Sequence, residues 1–304
     1  MIRSAYLAGE DQAEPLAEEL ARRGVTIEAW HGRLALSPDP PVDSAWSLNT
    51  WTDPREIAVP SVKAGADALR ALQRNWGAFA ADHFRRMELI TDKLPPLRPK
   101  KLVFPSAAPT GHLGAWTLLA PDLMLASPTQ TSRFINGEVH FQEDRTGPPS
   151  RAYLKLWEAL TLLGAWPQPG ETCLDLGASP GGWSFALASL GAEVTAVDKA
   201  PLDPAVAAIP SIHTRQESAF GIDPTTEPPV DWLFSDVIAY PERLLTLVRA
   251  WIAAGKAKRI VCTLKFQGHT DHAAAESFAA ITGGSVRHLF HNKHELTFTW
   301  TKQA

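Results

Sequence analysis

The stretch Thr172-Cys-Leu-Asp-Leu-Gly-Ala-Ser-Pro-Gly-Gly-Trp-Ser184, followed by Gly191-Ala-Glu-Val-Thr-Ala-Val-Asp198, constrains the fold of this chain more than any other. It reads as strand, tight turn, helix, second strand and terminal acid. Cys173 to Leu176 form a short apolar run around one acid, Asp175, and Gly177 breaks the strand. Ser179 can cap a helix N-terminus, and Pro180 suits the first helical position, where its missing N–H has no helical partner anyway. Gly191 ends the helix. Glu193 to Val197 alternate into a strand with Asp198 at its carboxyl end.

A dinucleotide turn, G-x-G-x-x-G, needs its second glycine so that backbone can approach a pyrophosphate. Here Ser179 holds that position, and Gly181 and Gly182 come later. S-adenosylmethionine has no phosphate but still needs a carboxylate for its ribose hydroxyls, a need that Asp198 fits. Glycine turns also occur in α/β chains without such a ligand, so this one needs companions elsewhere in the sequence.

From Ser150 onward, helices and strands alternate. A helix is expected over 151–163 and strands over 172–176, 193–197, 231–236 and 259–265. Helices are expected over 241–254 and 271–282, with a closing hairpin of 286–290 and 296–301. This pattern predicts a mostly parallel sheet covered on both faces, with an antiparallel strand added by the hairpin. The first part is less regular. It opens as strand (4–8), helix (11–23) and strand (25–30), breaks at Ser37–Ser44, and continues as a helical pattern over 61–86. Strands are expected at 101–104, 115–119 and 123–126, and Asn136-Gly137 is a hairpin signal. We expect a smaller α+β domain over 1–146 and a Rossmann-like α/β domain over 147–304, divided near Gly147-Pro148-Pro149.

The chain has 304 residues, 45% of them apolar and 20% charged, as in ordinary soluble proteins. No apolar run approaches the roughly 18 residues of a membrane span, and the N-terminus lacks a signal-peptide core, so a cytoplasmic location is expected. Cys173 and Cys262 fall in expected buried strands and read as core residues. The late histidines lack cysteine or acidic companions at zinc spacing, so no metal is expected. A net charge of −4 means that any polyanion site must be local. The best local candidate is Arg85, Arg86, Lys93, Arg98, Lys100 and Lys101; a solvated linker would look the same.

Ligands of open α/β sheets bind beyond the carboxyl ends of the strands. Asp175, Asp198, Asp236 and Lys265 fall at or near that edge, Lys155 lies in the helix before the first strand, and Glu295 opens the last. Four motifs stand in order: Ser150-Arg-Ala-Tyr-Leu-Lys155-Leu, Asp231-Trp-Leu-Phe-Ser-Asp236-Val, Thr263-Leu-Lys265 and His291-Asn-Lys-His-Glu295-Leu-Thr. Together with the turn Asp175-Leu-Gly-Ala-Ser-Pro-Gly-Gly-Trp183, they resemble the FtsJ-type ribose 2′-O-methyltransferases. The pattern is closest to the larger, RlmM-like branch that methylates a cytidine ribose of bacterial large-subunit ribosomal RNA. The resemblance is close from Ser150 to the end and faint before it.

That resemblance implies a class I methyltransferase fold, S-adenosyl-L-methionine as cofactor, ribosomal RNA as partner and a THUMP-like RNA-binding domain at the N-terminus. It also implies a catalytic tetrad of Lys155, Asp236, Lys265 and Glu295. For the cofactor it implies Ser179, Pro180, Gly181 and Gly182 at the methionine end, and Asp198 at the ribose. Asp236 would lie near the sulfonium and Glu217 near the adenine, with Ser150, Asp175, Gly177 and Trp183 completing the site. A lysine serves as general base only if its pKa falls from ~10.4 toward neutrality. A neighbouring ammonium and partial burial push it that way. Lys265 is therefore expected to be the base, with Lys155 beside it and Asp236 and Glu295 orienting the pair. Two other classes stay open: a non-catalytic RNA-binding or ribosome-assembly protein on this fold, and a methyltransferase for a non-RNA substrate. A nicotinamide dehydrogenase is disfavoured by Ser179.

Overall fold

The structure, a computed structural model, describes residues 1–97 and 99–303. The chain divides into two compact units, Met1–Leu102 with Ala108–His140, and Val103–Ala107 with the chain from Phe141 onward.

The first unit is α+β. Strands β1 (Ser4–Ala8), β2 (Ala29–His31), β3 (Leu34–Ser37) and β4 (Ser47–Trp51) form one sheet in the order β2-β3-β1-β4, with helix α1 (Ala13–Arg22) after β1. Strand β5 (Arg55–Ala58), helix α2 (Val62–Leu72), strand β6 (Trp76–Ala78), helix α3 (Phe84–Thr91) and strands β7 (Gly114–Ala120) and β8 (Leu123–Ser127) follow. Their sheet runs β5-β8-β7-β6.

Local physics overturns several expectations here. The helix expected through residue 86 ends at Leu72. The Trp76 indole Nε1 donates to the carbonyls of Leu69 and Gln73 at 2.9 and 3.0 Å, so it caps the last turn and does not extend the apolar stripe. No strand forms over 101–104, and Val103–Ala107 belongs to the second unit. Asn136 and Gly137 take positive φ of 55° and 77°, but within a single 3-10 turn, Ile135–Gly137, and not in a hairpin. The basic segment is also not one patch. Arg86 donates to the Val59 carbonyl at 2.9 Å. Lys100 and Lys101 edge a separate cavity of about 740 Å³. Arg98 lies outside the described residues.

The second unit begins with helix α4 (Tyr153–Leu163). Then come β9 (Thr172–Leu176), α5 (Gly182–Ala188), β10 (Glu193–Asp198), α6 (Pro204–Ala207), β11 (Ile212–Gln216), β12 (Val230–Ser235) and α7 (Pro241–Ala254). Strand β13 (Ala257–Lys265), α8 (His272–Ala279), β14 (Gly284–Arg287) and β15 (Glu295–Thr301) complete it. Seven strands form one sheet in the order β11-β10-β9-β12-β13-β15-β14; the first five are parallel, and β15 is antiparallel to both its neighbours. This is a Rossmann-like α/β architecture preceded by an α+β region.

The central strands are apolar because both faces are covered. Trp232 and Phe234 stack at 5.6 Å inside the sheet's packing and are fully buried. The turn after β9 departs from the expected capping. Helix α5 starts at Gly182, two residues beyond Pro180, because Gly181 makes the turn at φ +114°, a conformation open to glycine. The Ser179 hydroxyl donates to the Pro201 carbonyl at 2.9 Å and does not cap the helix.

Strand β15 carries Glu295 and is held by its own core. Phe298 is fully buried and lies 5.1 Å from the Phe278 ring on α8. Phe298→Ala is expected to lower stability by about 3–5 kcal/mol, as large-to-small changes at aromatic core positions do. Urea denaturation followed by tryptophan fluorescence checks this.

Candidate active site

Five parallel strands end at one edge of the sheet, and a cavity of about 340 Å³ lies there. Asp175, Gly177, Ser179, Pro180, Gly182, Trp183 and Asp198 line it from the β9 and β10 side, with Ser150 from the segment before α4. Asp236 and Lys265 line it from the β12 and β13 side. Sequence reasoning did not single out Val237 and Ile238, which also line it. Gly181 and Glu217 are not among the lining residues. Glu217 accepts from Arg215 Nε at 2.7 Å, and the residue level with Asp198 on β11 is Gln216.

The glycine turn is tight for a steric reason. A Cβ on Gly177, at φ +82°, would meet the Val237 backbone at 2.7 Å. The turn is braced by Asp198, whose carboxylate accepts from the backbone N–H of Ser179 at 3.0 Å and of Ala200 at 2.9 Å. Trp183 Nε1 donates to the Ala152 carbonyl at 2.9 Å and so ties α5 to the start of α4.

Asp175 is fully buried. Its Oδ2 accepts from Ser184 at 2.6 Å, while its Oδ1 has no partner among the described residues. Burial raises its pKa to about 7; the Ser184 hydrogen bond opposes this, and the charges of Asp236 and Asp198 add to it. A buried acceptor without a donor is costly, and a ligand ammonium at this cavity would satisfy it. The donor set therefore fits the amino-acid end of S-adenosylmethionine.

Beside the cavity four charged side chains converge. Lys155 Nζ lies 2.9 Å from Asp236 Oδ1 and 2.8 Å from Glu295 Oε1. Lys265 Nζ lies 3.1 Å from the same Asp236 oxygen and donates to the Asp236 carbonyl at 2.5 Å. All four side chains are largely buried. Burial alone would lower the pKa of Lys155, but the carboxylates of Asp236 and Glu295 outweigh it, and the net shift is upward. Lys155 is thus held as a cation. Lys265 is the lysine that reaches the cavity.

Helix α4 places Lys155 because it is buried nearly all round, with Tyr153, Leu154, Leu156, Ala159 and Leu160 in the core. The Phe104 ring, from the Val103–Ala107 segment, stacks on Trp157 at 4.9 Å, and Tyr153 Oη donates to the Asp144 carbonyl at 2.8 Å. The second charge on this helix, Glu158, was missed in the sequence. It accepts from the backbone N–H of Phe290 and His291, in the turn before Glu295. Its signal was there to read: Lys155 and Glu158 are the only charges in Tyr153–Leu163 and stand one helical turn apart.

Among the described residues, no group of three or more His, Cys, Asp or Glu is placed to hold a metal ion. Among the described residues, no helix is long and apolar enough to cross a membrane.

Residues 148–265 match the FtsJ-like methyltransferase family. Proteins named ribosomal RNA large subunit methyltransferase M are similar to the chain. The one from Halorhodospira halophila is 38% identical over 157 residues, 49% of this chain and 46% of that protein. The one from Alkalilimnicola ehrlichii is 36% identical over 170 residues, covering 51% and 47%. The one from Methylococcus capsulatus is 30% identical over 205 residues, covering 62% and 57%. The chain spans about half the length of the first of these relatives.

The raised pKa of Asp175 has a measurable consequence. Its folded state binds a proton more tightly than the unfolded chain, so its contribution to stability is complete below about pH 4 and is lost as pH rises through about 7. The stability of Asp175→Asn relative to wild type should therefore rise from pH 4 to pH 7 and level off above. Urea denaturation of both proteins across that range checks it; a flat difference would remove the assignment.

Proposed function

We propose, from the FtsJ-like methyltransferase domain at residues 148–265, that this chain transfers the methyl group of S-adenosylmethionine to a ribose 2′-hydroxyl of RNA, in large-subunit ribosomal RNA. The observation that carries this reading is the Asp236 carboxylate shared by two lysines at the cavity wall. When bound, S-adenosylmethionine supplies an electrophilic methyl group on a positively charged sulfur.

The residues divide the work. Asp175 Oδ1 takes the donor's ammonium, the Gly177–Gly182 turn leaves room for the amino-acid end, and Asp198 offers its remaining lone pairs to the ribose. Lys265 Nζ would be the group that receives the proton of an acceptor hydroxyl at the cavity, where the bound donor would supply the methyl carbon to the hydroxyl oxygen and leave as the neutral thioether. Asp236 orients Lys265 through Oδ1 and its carbonyl, and Glu295 fixes Lys155. Holding hydroxyl and methyl in line supplies much of the acceleration. RNA as acceptor is supported by the relatives' names and by Lys100, Lys101 and Arg133 around the apolar cavity of the first unit, cations suited to phosphates.

Lys265→Ala is expected to reduce methyl transfer to background while donor affinity changes less than about threefold, since the base acts mainly in the transition state. Labelled methyl transfer to ribosomal RNA, with calorimetry for donor binding, checks both. Transfer by the variant at the wild-type rate would sink the assignment of the base.

A further inference from the structure

We infer that Glu158 is a positioning residue for this site: it fixes the hairpin turn that delivers Glu295 to Lys155. The inference rests on the methyl-transfer reading above.

Glu158 is 1% exposed, in the middle of α4. Its Oε1 accepts from Phe290 N–H at 2.8 Å. Its Oε2 accepts from His291 N–H at 3.0 Å and lies 2.7 Å from His291 Nδ1. One buried carboxylate thus takes two consecutive backbone donors and a ring nitrogen from one turn, the connection between β14 and β15. The same turn is tied to Glu295 itself. Asn292 Nδ2 donates to the Glu295 carbonyl at 3.0 Å and to Thr297 Oγ1 at 3.1 Å.

Helix α4 therefore grips the hairpin twice. Lys155 holds the Glu295 carboxylate, and Glu158, one helical turn on, holds the backbone four and five residues before it. The two grips are coupled through a short, hydrogen-bonded turn. Without the second, nothing in this set fixes the height of Glu295 against the helix, and Lys155 loses one of its two carboxylates. A displacement of about 1 Å at such a group can cost on the order of 100-fold in rate.

Glu158→Gln keeps the side-chain size but turns an amide N–H₂ toward backbone donors. With labelled donor and ribosomal RNA, its kcat should fall roughly tenfold or more, with donor affinity unchanged. Because Glu158 acts through Glu295, adding E158Q to E295Q should slow the enzyme no further. A kcat within twofold of wild type, or effects that multiply in the double variant, overturns the inference. Should E158Q fail to fold, Glu158→Asp, which keeps the charge but draws the carboxylate back from both backbone donors, enters the same cycle with the same expected and overturning outcomes. A crystal structure of the variant separates the two claims. An inactive wild-type chain overturns the reaction, whereas Glu295 still seated on Lys155 in the variant overturns the role of Glu158.

Discussion

Asp236 Oδ1 forms ion pairs with two lysines at once, and most of the second unit is arranged around that fact. Four largely buried charges are expensive to take out of water, and they are tolerated only when each meets a partner with good geometry. Lys155 has two carboxylates, Asp236 two ammonium groups, and Lys265 both the carboxylate and the backbone carbonyl of Asp236. Removing any one unbalances a largely buried set of charges, which is destabilising. The network therefore fixes the positions of four separate stretches of chain: the inner face of α4, the exits of β12 and β13, and the start of β15.

The neighbouring cavity follows a different logic. It contains one acid, Asp175, with an oxygen left without a donor, and another, Asp198, whose oxygens already brace the turn. An unmet acceptor in a buried carboxylate is unfavourable by itself and favourable for a cationic ligand group. The upward pKa of Asp175 expresses the same imbalance. In the proposed reaction this side holds the methyl donor, and the lysine side prepares the acceptor.

Much of this was legible in the sequence, for identifiable reasons. Asp236 and Lys265 follow apolar strands directly, and a charge there is either at a rim or functional. The parallel sheet followed from strands alternating with helices. Two things were hidden. The first unit is built from strands as short as Ala29–His31 and Trp76–Ala78, in which alternation has no length to register, and Trp76 ends a helix by a side-chain hydrogen bond that no periodicity encodes. The start of α5 was misplaced because Ser179 and Pro180 fit a capping rule that the backbone freedom of Gly181 overrides. Glu158 was visible as a lone acid on an apolar helix, but its partners are backbone groups some 130 residues away, which no local pattern shows.

The direction of β15 explains why a residue at the start of the last strand can take part at all. In a parallel sheet every strand begins at the edge opposite the ligand. Strand β15 runs antiparallel between β13 and β14, so its first residue lies where its neighbour ends, and Glu295 pairs directly with Lys265 in the register. A parallel last strand would place that acid a full strand length from Asp236, and Lys155 would face a single carboxylate. The hairpin that reverses the chain is thus a requirement of the charge network as well as a way to finish the sheet. Its turn must be held at a set height, and the buried acid of α4 one turn beyond Lys155 is in position to hold it.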